Sequence, residues 1–422
     1  MPSAPVIPQL RINEQRMKAD FDELALIGAT AEGGINRPAL SVTDVAARAW
    51  FVNRLEESGL TLNSDGVGNL SGVLPCPNPD APIFLIGSHL DSVENGGRYD
   101  GAVGVVAALE CARTIREANL TLPTHLEVIN FTDEEGSWFS FLGSLGFTGQ
   151  ITEEDLNDSK RDNAAFRLAL TRLGLSDRDV LQAGRDLSRY CGFLELHIEQ
   201  GDRLEQAQAQ IGVVSRIVGR STYNITFYGE AAHSATISPH RKKDALHGAV
   251  LFLNHLYGMV DNDFPAGMVN CGDMSVYPGA YNIVPSRVML RVEIRHEVES
   301  VLREMERYLV DVAYDCAEAL KLRMDAERII HRPVANLSEA MKATIEQVCE
   351  EMGLRYMRLP SYAGHDGQIL DRFIPSAMIF VPSVDGISHS PLEYTRWESI
   401  VTGANVMLQT LLRTVYGDVH AP

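Results

Sequence analysis

Apolar and polar positions along the chain follow two rhythms. Residues 41–59, SVTDVAARAWFVNRLEESG, place apolar side chains at helical spacing behind a cap candidate at Ser41 or Thr43, and Gly59 supplies a stop. SDGVGNLSGVL is turn chemistry leading into a strand. APIFLIGSHLD and THLEVINFTDEEG are short apolar runs that each end in histidine or acidic residues, and GVVAALECARTIREA between them predicts a crossover helix. Strand–helix–strand is the order of a parallel α/β sheet. From Glu153 to about Gly192 the pattern is polar and helical. YCGFLELHIEQG returns to strand character, with Phe193, Glu195 and His197 on one face and Leu194, Leu196 and Ile198 on the other.

A different order begins near Val213. STYNITFYGEA alternates as a strand, and RKKDALHGAVLFLNHLYGMV carries its apolar residues on one helical face. GMVNCGDMSVY and SRVMLRVEIRH are two strands joined by a Gly/Pro loop. ESVLREMERYLVDVAYDCAEAL is a second amphipathic helix, and LRMDAERII closes the set. That β-α-β-β-α-β order predicts a small ferredoxin-like layer. After His331 the first order resumes with SEAMKATIEQVCEEMG, SAMIFVPS and a last helix. The expected organisation is an α/β domain over 1–212, an inserted domain over 213–330, and the rest of the first domain over 331–422.

A length of 422 residues agrees with two domains. Hydrophobic residues at 45% and charged residues at 22% are those of an ordinary globular chain. The formal charge of -19 argues against nucleic acid, whose phosphates it would repel, though not against a small anion held by a local arginine or metal. The six cysteines are scattered without a C-x-x-C pair and read as reduced thiols. No signal peptide and no membrane-length apolar run is evident, so a cytoplasmic protein without membrane or nucleic-acid partners is expected.

The candidate chemistry lies at predicted strand ends. His89, Glu135, His197 and His389 all fall at or just beyond the C-terminal end of a strand, the edge where open α/β sheets bind ligands. Asp100 joins them from a glycine-bearing loop. Any one of these residues alone reads as an ordinary hydrogen-bonded or solvated group, and their shared position is what points to metal. Three histidines and two carboxylates suit two cations bridged by one carboxylate, roughly 3.5–4 Å apart.

The motifs GSHLDSV…GGRYDGAVGV, FTDEEG, HIEQG, GEAAHS, YAGHDGQ and GISHSPLE resemble the hydantoinase/carbamoylase branch of the dinuclear zinc amidohydrolases and exopeptidases. The resemblance runs from about residue 20 to 410. It implies a large mixed-sheet α/β hydrolase domain with an inserted ferredoxin-like lid and dimerisation domain, and a homodimer joined through that domain. It implies Asp100 as the bridging ligand, His89 and His197 completing one metal site, and Glu135 and His389 the other. It makes Glu134 the general base, His233 a group for the developing oxyanion, and Asn282 and Arg295 the holders of a substrate carboxylate. Gln200 and His365 are expected near the pocket. Zinc is the expected metal, the same donors also accepting manganese, cobalt or nickel.

Elementary chemistry supports several of these roles. A carboxylate such as Glu134 beside a metal site can take a proton from water and later return it to an amine. Asp91, two residues past His89, is expected to accept the ring's other N–H and fix its tautomer. Arg295 lies on the polar face of its strand with Arg291 and Glu293, and an arginine fork matches a carboxylate. One departure stands out: the family commonly continues from the lid histidine with AGTTPM, whereas this chain has SATISP from Ser234. The expected activity is hydrolysis of an N-carbamoyl α- or β-amino acid to amino acid, carbon dioxide and ammonia. The alternatives are allantoate hydrolysis, or N-acyl-amino-acid or dipeptide hydrolysis on the same architecture, and last a non-catalytic binder, which would have no need of Glu134.

Overall fold

Most strands of the chain are short, and their order in space differs from their order in sequence. The computed structural model describes residues 9–158 and 161–417. In chain order its strands are β1 (Thr61–Ser64), β2 (Leu70–Leu74), β3 (Ile83–His89), β4 (His125–Phe131), β5 (Tyr190–Ile198) and β6 (Ile211–Ile217). They continue with β7 (Gly219–Tyr228), β8 (Met268–Tyr277), β9 (Arg287–His296), β10 (Arg323–Arg332), β11 (Tyr356–Ser361) and β12 (Ser376–Val381). Up to Ser215 and again from Asn336 the chain builds one compact unit, and Arg216–Ala335 builds another.

The first unit is organised on an eight-stranded sheet in the order β1-β2-β4-β3-β5-β12-β6-β11. Its central strands β4, β3, β5 and β12 are mutually parallel, so their C-terminal ends share one edge. Helices cover both faces, which is why β3, β4, β5 and β12 are buried along nearly their whole length instead of alternating. The crossover helix Ala102–Glu117 is buried on almost every side and packs with Trp397–Tyr416 into the main core. Small residues permit that closeness: a Cβ at Gly104 would lie 2.4 Å from the Leu196 carbonyl oxygen. The helix Val42–Glu57 starts where its pattern predicts, with the Ser41 side chain accepting from the Asp44 N–H at 3.1 Å.

The second unit is the β-α-β-β-α-β layer. Its sheet runs β10-β7-β9-β8 with every neighbour antiparallel. Helices Ala245–Asn262 and Glu299–Ala319 bury Tyr223, Ile225 and Phe227 of β7 together with Val288, Leu290, Val292 and Ile294 of β9.

The expected domain limits at 212/213 and 330/331 differ from the unit boundaries. Val213 pairs with Ile379 inside the large sheet, because β6 carries its buried residues on to Ile217. Ile217 and Ala335 then exchange main-chain hydrogen bonds of 2.9 and 3.0 Å where the chain leaves and re-enters the first unit. The outer limits at 1 and 422 lie outside the described residues. Strand β11 has no counterpart in the sequence reading: YMRLPS mixes arginine and proline with apolar residues, as the end strand of a sheet tolerates. No helix among the described residues is long and apolar enough to cross a membrane.

Candidate metal centre

Parallel strands deliver their C-terminal residues to one edge, and the candidate ligands collect there. His89 ends β3 and His197 is the penultimate residue of β5, their rings 6.0 Å apart. Asp100 directly precedes Gly101, the cap of the helix Ala102–Glu117. Its Oδ1 lies 3.1 Å from His197 Nε2 and 3.7 Å from His89 Nε2. Its other oxygen, Oδ2, lies 3.4 Å from His389 Nε2, which is also 3.4 Å from Glu135 Oε2. Asp100 therefore divides its two oxygens between two donor sets, one of His89 and His197 and one of Glu135 and His389, each able to hold a metal ion.

The histidine tautomers suit ligation. His89 Nδ1 faces the Asp91 carbonyl oxygen at 3.0 Å and His197 Nδ1 faces the Ile198 carbonyl at 2.8 Å. Donation to those carbonyls puts the proton on Nδ1 and leaves a lone pair on Nε2. Gly101 makes the close approach possible: its φ is +62°, and a Cβ there would sit 2.4 Å from the His89 ring.

Asp91 does not play the part expected of its side chain. Its main-chain carbonyl holds the His89 ring, while its carboxylate stands 3.8 Å from Nδ1. The carboxylate accepts instead from the main-chain N–H of Glu135 at 3.2 Å and Glu134 at 3.4 Å. The physical reason is that β3 ends at His89, so Asp91 lies beyond the strand pairing and its carboxylate meets the main-chain N–H groups of the segment after β4. Glu134, on that segment, brings Oε2 to 3.7 Å from His89 Nε2.

Burial sets the electrostatics. It pushes Glu134 and Glu135 well above the usual carboxylate range, reinforced for Glu134 by Glu135 and for Glu135 by Asp100. Burial lowers the His89 ring to about 4. Burial also disfavours charge on His197, but the Asp100 carboxylate prevails and raises that ring to about 9. So many acids in one low-dielectric pocket repel one another, and His89 Nε2 is buried there without a hydrogen-bond partner. Nitrogen lone pairs and carboxylate oxygens facing one another fit divalent cations.

Gln200 and His365 join the same edge. The Gln200 amide donates to Asp100 Oδ2 at 2.7 Å and lies 3.4 Å from His389 Nε2. The His365 ring packs 4.5 Å from that of His197, with Nε2 2.9 Å from Ser361 Oγ. The remaining candidates belong to the second unit. There His233 and Asn282 are exposed and adjacent, Ser234 N donating to the Asn282 carbonyl at 3.0 Å. Arg295 sits on β9 with its Nε donating to Glu293 Oε1 at 2.7 Å.

Three residues at the edge were not singled out from sequence. Glu195, buried one strand repeat before His197, accepts from Ser88 Oγ at 2.6 Å. Ser388 Oγ donates to Glu393 Oε2 at 2.7 Å, and Glu393 Oε1 accepts from the Tyr99 and Asp100 N–H groups. The signal for Glu393 was present in GISHSPLE, as an acid four residues past His389.

A mixed α/β sheet with His and carboxylate donors gathered at the C-terminal ends of its parallel central strands is the architecture of a metal-dependent amidohydrolase. The chain belongs to Peptidase family M20/M25/M40, whose model it matches over residues 85–413. It is 32% identical to the N-carbamoyl-L-amino acid amidohydrolase of Geobacillus stearothermophilus over 96% of this chain and 100% of that one. It is 31% identical to the allantoate amidohydrolase of Bacillus subtilis, covering 93% and 96% of the two chains. Among solved structures it resembles an amidase of the hydantoinase/carbamoylase family from Burkholderia multivorans, with a TM-score of 0.84, 33% identity and coverage of 97% and 99%.

Proposed function

We propose that the protein hydrolyses a linear ureido or amide C–N bond, and that its substrate is an N-carbamoyl α- or β-amino acid, giving the free amino acid, carbon dioxide and ammonia. The observation that carries this reading is the Asp100 carboxylate shared between two donor sets with Glu134 beside them. Similarity along nearly the whole chain to an N-carbamoyl-L-amino acid amidohydrolase supports the substrate class.

In this reading His89, His197 and Asp100 hold one divalent cation, and Asp100, Glu135 and His389 the other. Bound there, the pair supplies Lewis acidity toward a carbonyl and lowers the pKa of water. Zinc suits the mixed His/carboxylate donors. Glu134 takes the proton from water and returns it to the leaving nitrogen, so its carboxyl alternates between base and acid. Asn282 and Arg295 hold the substrate carboxylate, and His233 donates to the developing oxyanion. Gln200 and His365 complete the polar lining.

The second unit supports a homodimer. Val250 and Tyr257 on the helix Ala245–Asn262 and Met268, Met274 and Tyr277 on the end strand β8 are exposed apolar side chains, and Cys271 N donates to Tyr257 Oη at 3.0 Å to join the two elements. Sedimentation velocity is expected to show a dimer that Met274→Arg weakens; a monomer at every concentration overturns it. All six cysteines are unpaired, which supports a reducing, cytoplasmic setting.

The deciding experiment is ammonia release by chelator-stripped enzyme reloaded with defined metals. The panel comprises N-carbamoyl-L-amino acids, N-carbamoyl-β-alanine, allantoate and N-acetyl amino acids, the last followed by acetate release. Turnover of the carbamoyl compounds is expected. Preference for allantoate selects the second reading, which the Bacillus subtilis relative favours. Full activity in the stripped enzyme, or no turnover of any compound, rejects the proposal.

A further inference from the structure

We propose that Glu393 is a positioning residue that clamps the outer donor set, and so decides how tightly the second cation is held. The inference rests on the two-cation reading above. Glu393 is buried, 5% exposed, in the loop that follows β12. Its Oε1 accepts the main-chain N–H of Tyr99 at 3.0 Å and of Asp100 at 3.1 Å. Its Oε2 accepts from Ser388 Oγ at 2.7 Å, next to His389. One carboxylate thus ties the segment that presents Asp100 to the loop that presents His389. The space is reserved for it: a Cβ at Gly97 would fall 1.9 Å from the Glu393 carboxyl carbon.

The two donor sets need such help unequally. The His89 and His197 side chains are 1% exposed, lie on or at the end of strands, and are each fixed through Nδ1 by a main-chain carbonyl. The His389 side chain is 49% exposed on a loop with φ +53°. Sheet pairing fixes the inner set, whereas the outer set depends on the registry of two loops. Charge-assisted hydrogen bonds accepted by a buried carboxylate are stronger than neutral ones and hold that registry. Removing Glu393 therefore loosens Asp100 Oδ2 against His389 and leaves His89 and His197 in place.

The test measures metal, not turnover alone. Wild type, Glu393→Ala and Glu393→Gln are stripped, titrated with Zn²⁺ and Co²⁺ against a competing chelator, and assayed for bound metal per chain by elemental analysis. Wild type is expected to take two cations. Glu393→Ala is expected to keep the first affinity and lose about tenfold to a hundredfold in the second, with turnover recovering in excess metal. Glu393→Gln keeps an oxygen for the two N–H donors and loses the charge and the acceptor for the Ser388 hydroxyl, so a shift in the same direction, smaller than that of alanine, is expected. Two cations bound with wild-type affinities in both variants overturn the inference. Equal weakening of both cations together with a lower melting temperature also overturns it, because Glu393 would then serve the fold at large. A wild type that takes at most one cation removes the two-cation reading, and the clamp with it.

Discussion

Asp91 and Glu135 are joined through the Asp91 carboxylate, which accepts the Glu135 main-chain N–H at 3.2 Å and that of Glu134 at 3.4 Å. The residue thus positions the turn that carries the proposed base, and its main chain serves His89. Replacing Asp91 by Ala removes the first link and leaves the second. Turnover is expected to fall by about a hundredfold, the scale of a misplaced catalytic group, with the cation held by His89 and His197 bound as in wild type and the one held by Glu135 and His389 bound more weakly. Weaker binding of the cation held by His89 and His197 in equilibrium titrations would mean that the side chain orients the His89 ring after all.

Glu134→Gln tests the base directly. An amide cannot take a proton from water, so kcat is expected to fall by about 10²–10⁴-fold while metal content and melting temperature hold. Wild-type kcat in the metal-loaded variant would exclude Glu134.

Gly101→Ala tests the close packing beneath the site. The φ of +62° is strained for alanine, and the added Cβ meets the buried His89 ring. A cost of about 1–3 kcal/mol for the backbone strain alone is expected in urea denaturation, together with weaker binding of the first cation. Unchanged stability would mean the helix start relaxes freely.

The metal-free protein should respond to pH in a definite direction. Burial, with acidic neighbours, raises Glu134 and Glu135 well above their ordinary value of 4.5, and raises Glu195 to about 7. His197 rises from 6.5 to about 9 in spite of burial, through Asp100. In each case the folded state binds protons that the unfolded state has released. Stability is therefore lost as pH rises through the folded pKa values. His89, lowered from 6.5 to about 4 by burial, pulls the other way only until its unfolded form has lost its proton, about one pH unit above 6.5, and adds no slope beyond that. Between pH 6.5 and 9, calorimetry on stripped protein is expected to show a falling melting temperature. Metal binds the deprotonated ligands, so the gap between loaded and stripped protein widens over that range. A gap that narrows would contradict this charge balance.

Arg295→Ala addresses the substrate carboxylate. Loss of a charge-assisted bond worth about 1.5–3 kcal/mol is expected to raise KM by about tenfold to a hundredfold for carboxylate-bearing compounds. KM for the corresponding amides should stay the same. An equal effect on acids and amides would assign Arg295 to its ion pair with Glu293.

Much of this was legible in one dimension. Apolar runs capped by His89, His197 and the DEEG turn announced strands with chemistry at their ends, and the β-α-β-β-α-β layer, read at 213–330, was legible in its helix and strand periods though not in its limits. Those patterns are local, because burial on one or both faces imposes a period on neighbouring residues. Three things came only with the tertiary structure: the spatial order β4-β3-β5-β12 that sets Glu135, His89, His197 and His389 along one edge, the pairing of the Asp91 carboxylate with the Glu134 and Glu135 N–H groups, and the burial of Glu393 beside Asp100. Each depends on which distant segment a side chain meets after the chain has turned, and no period along the chain encodes that meeting.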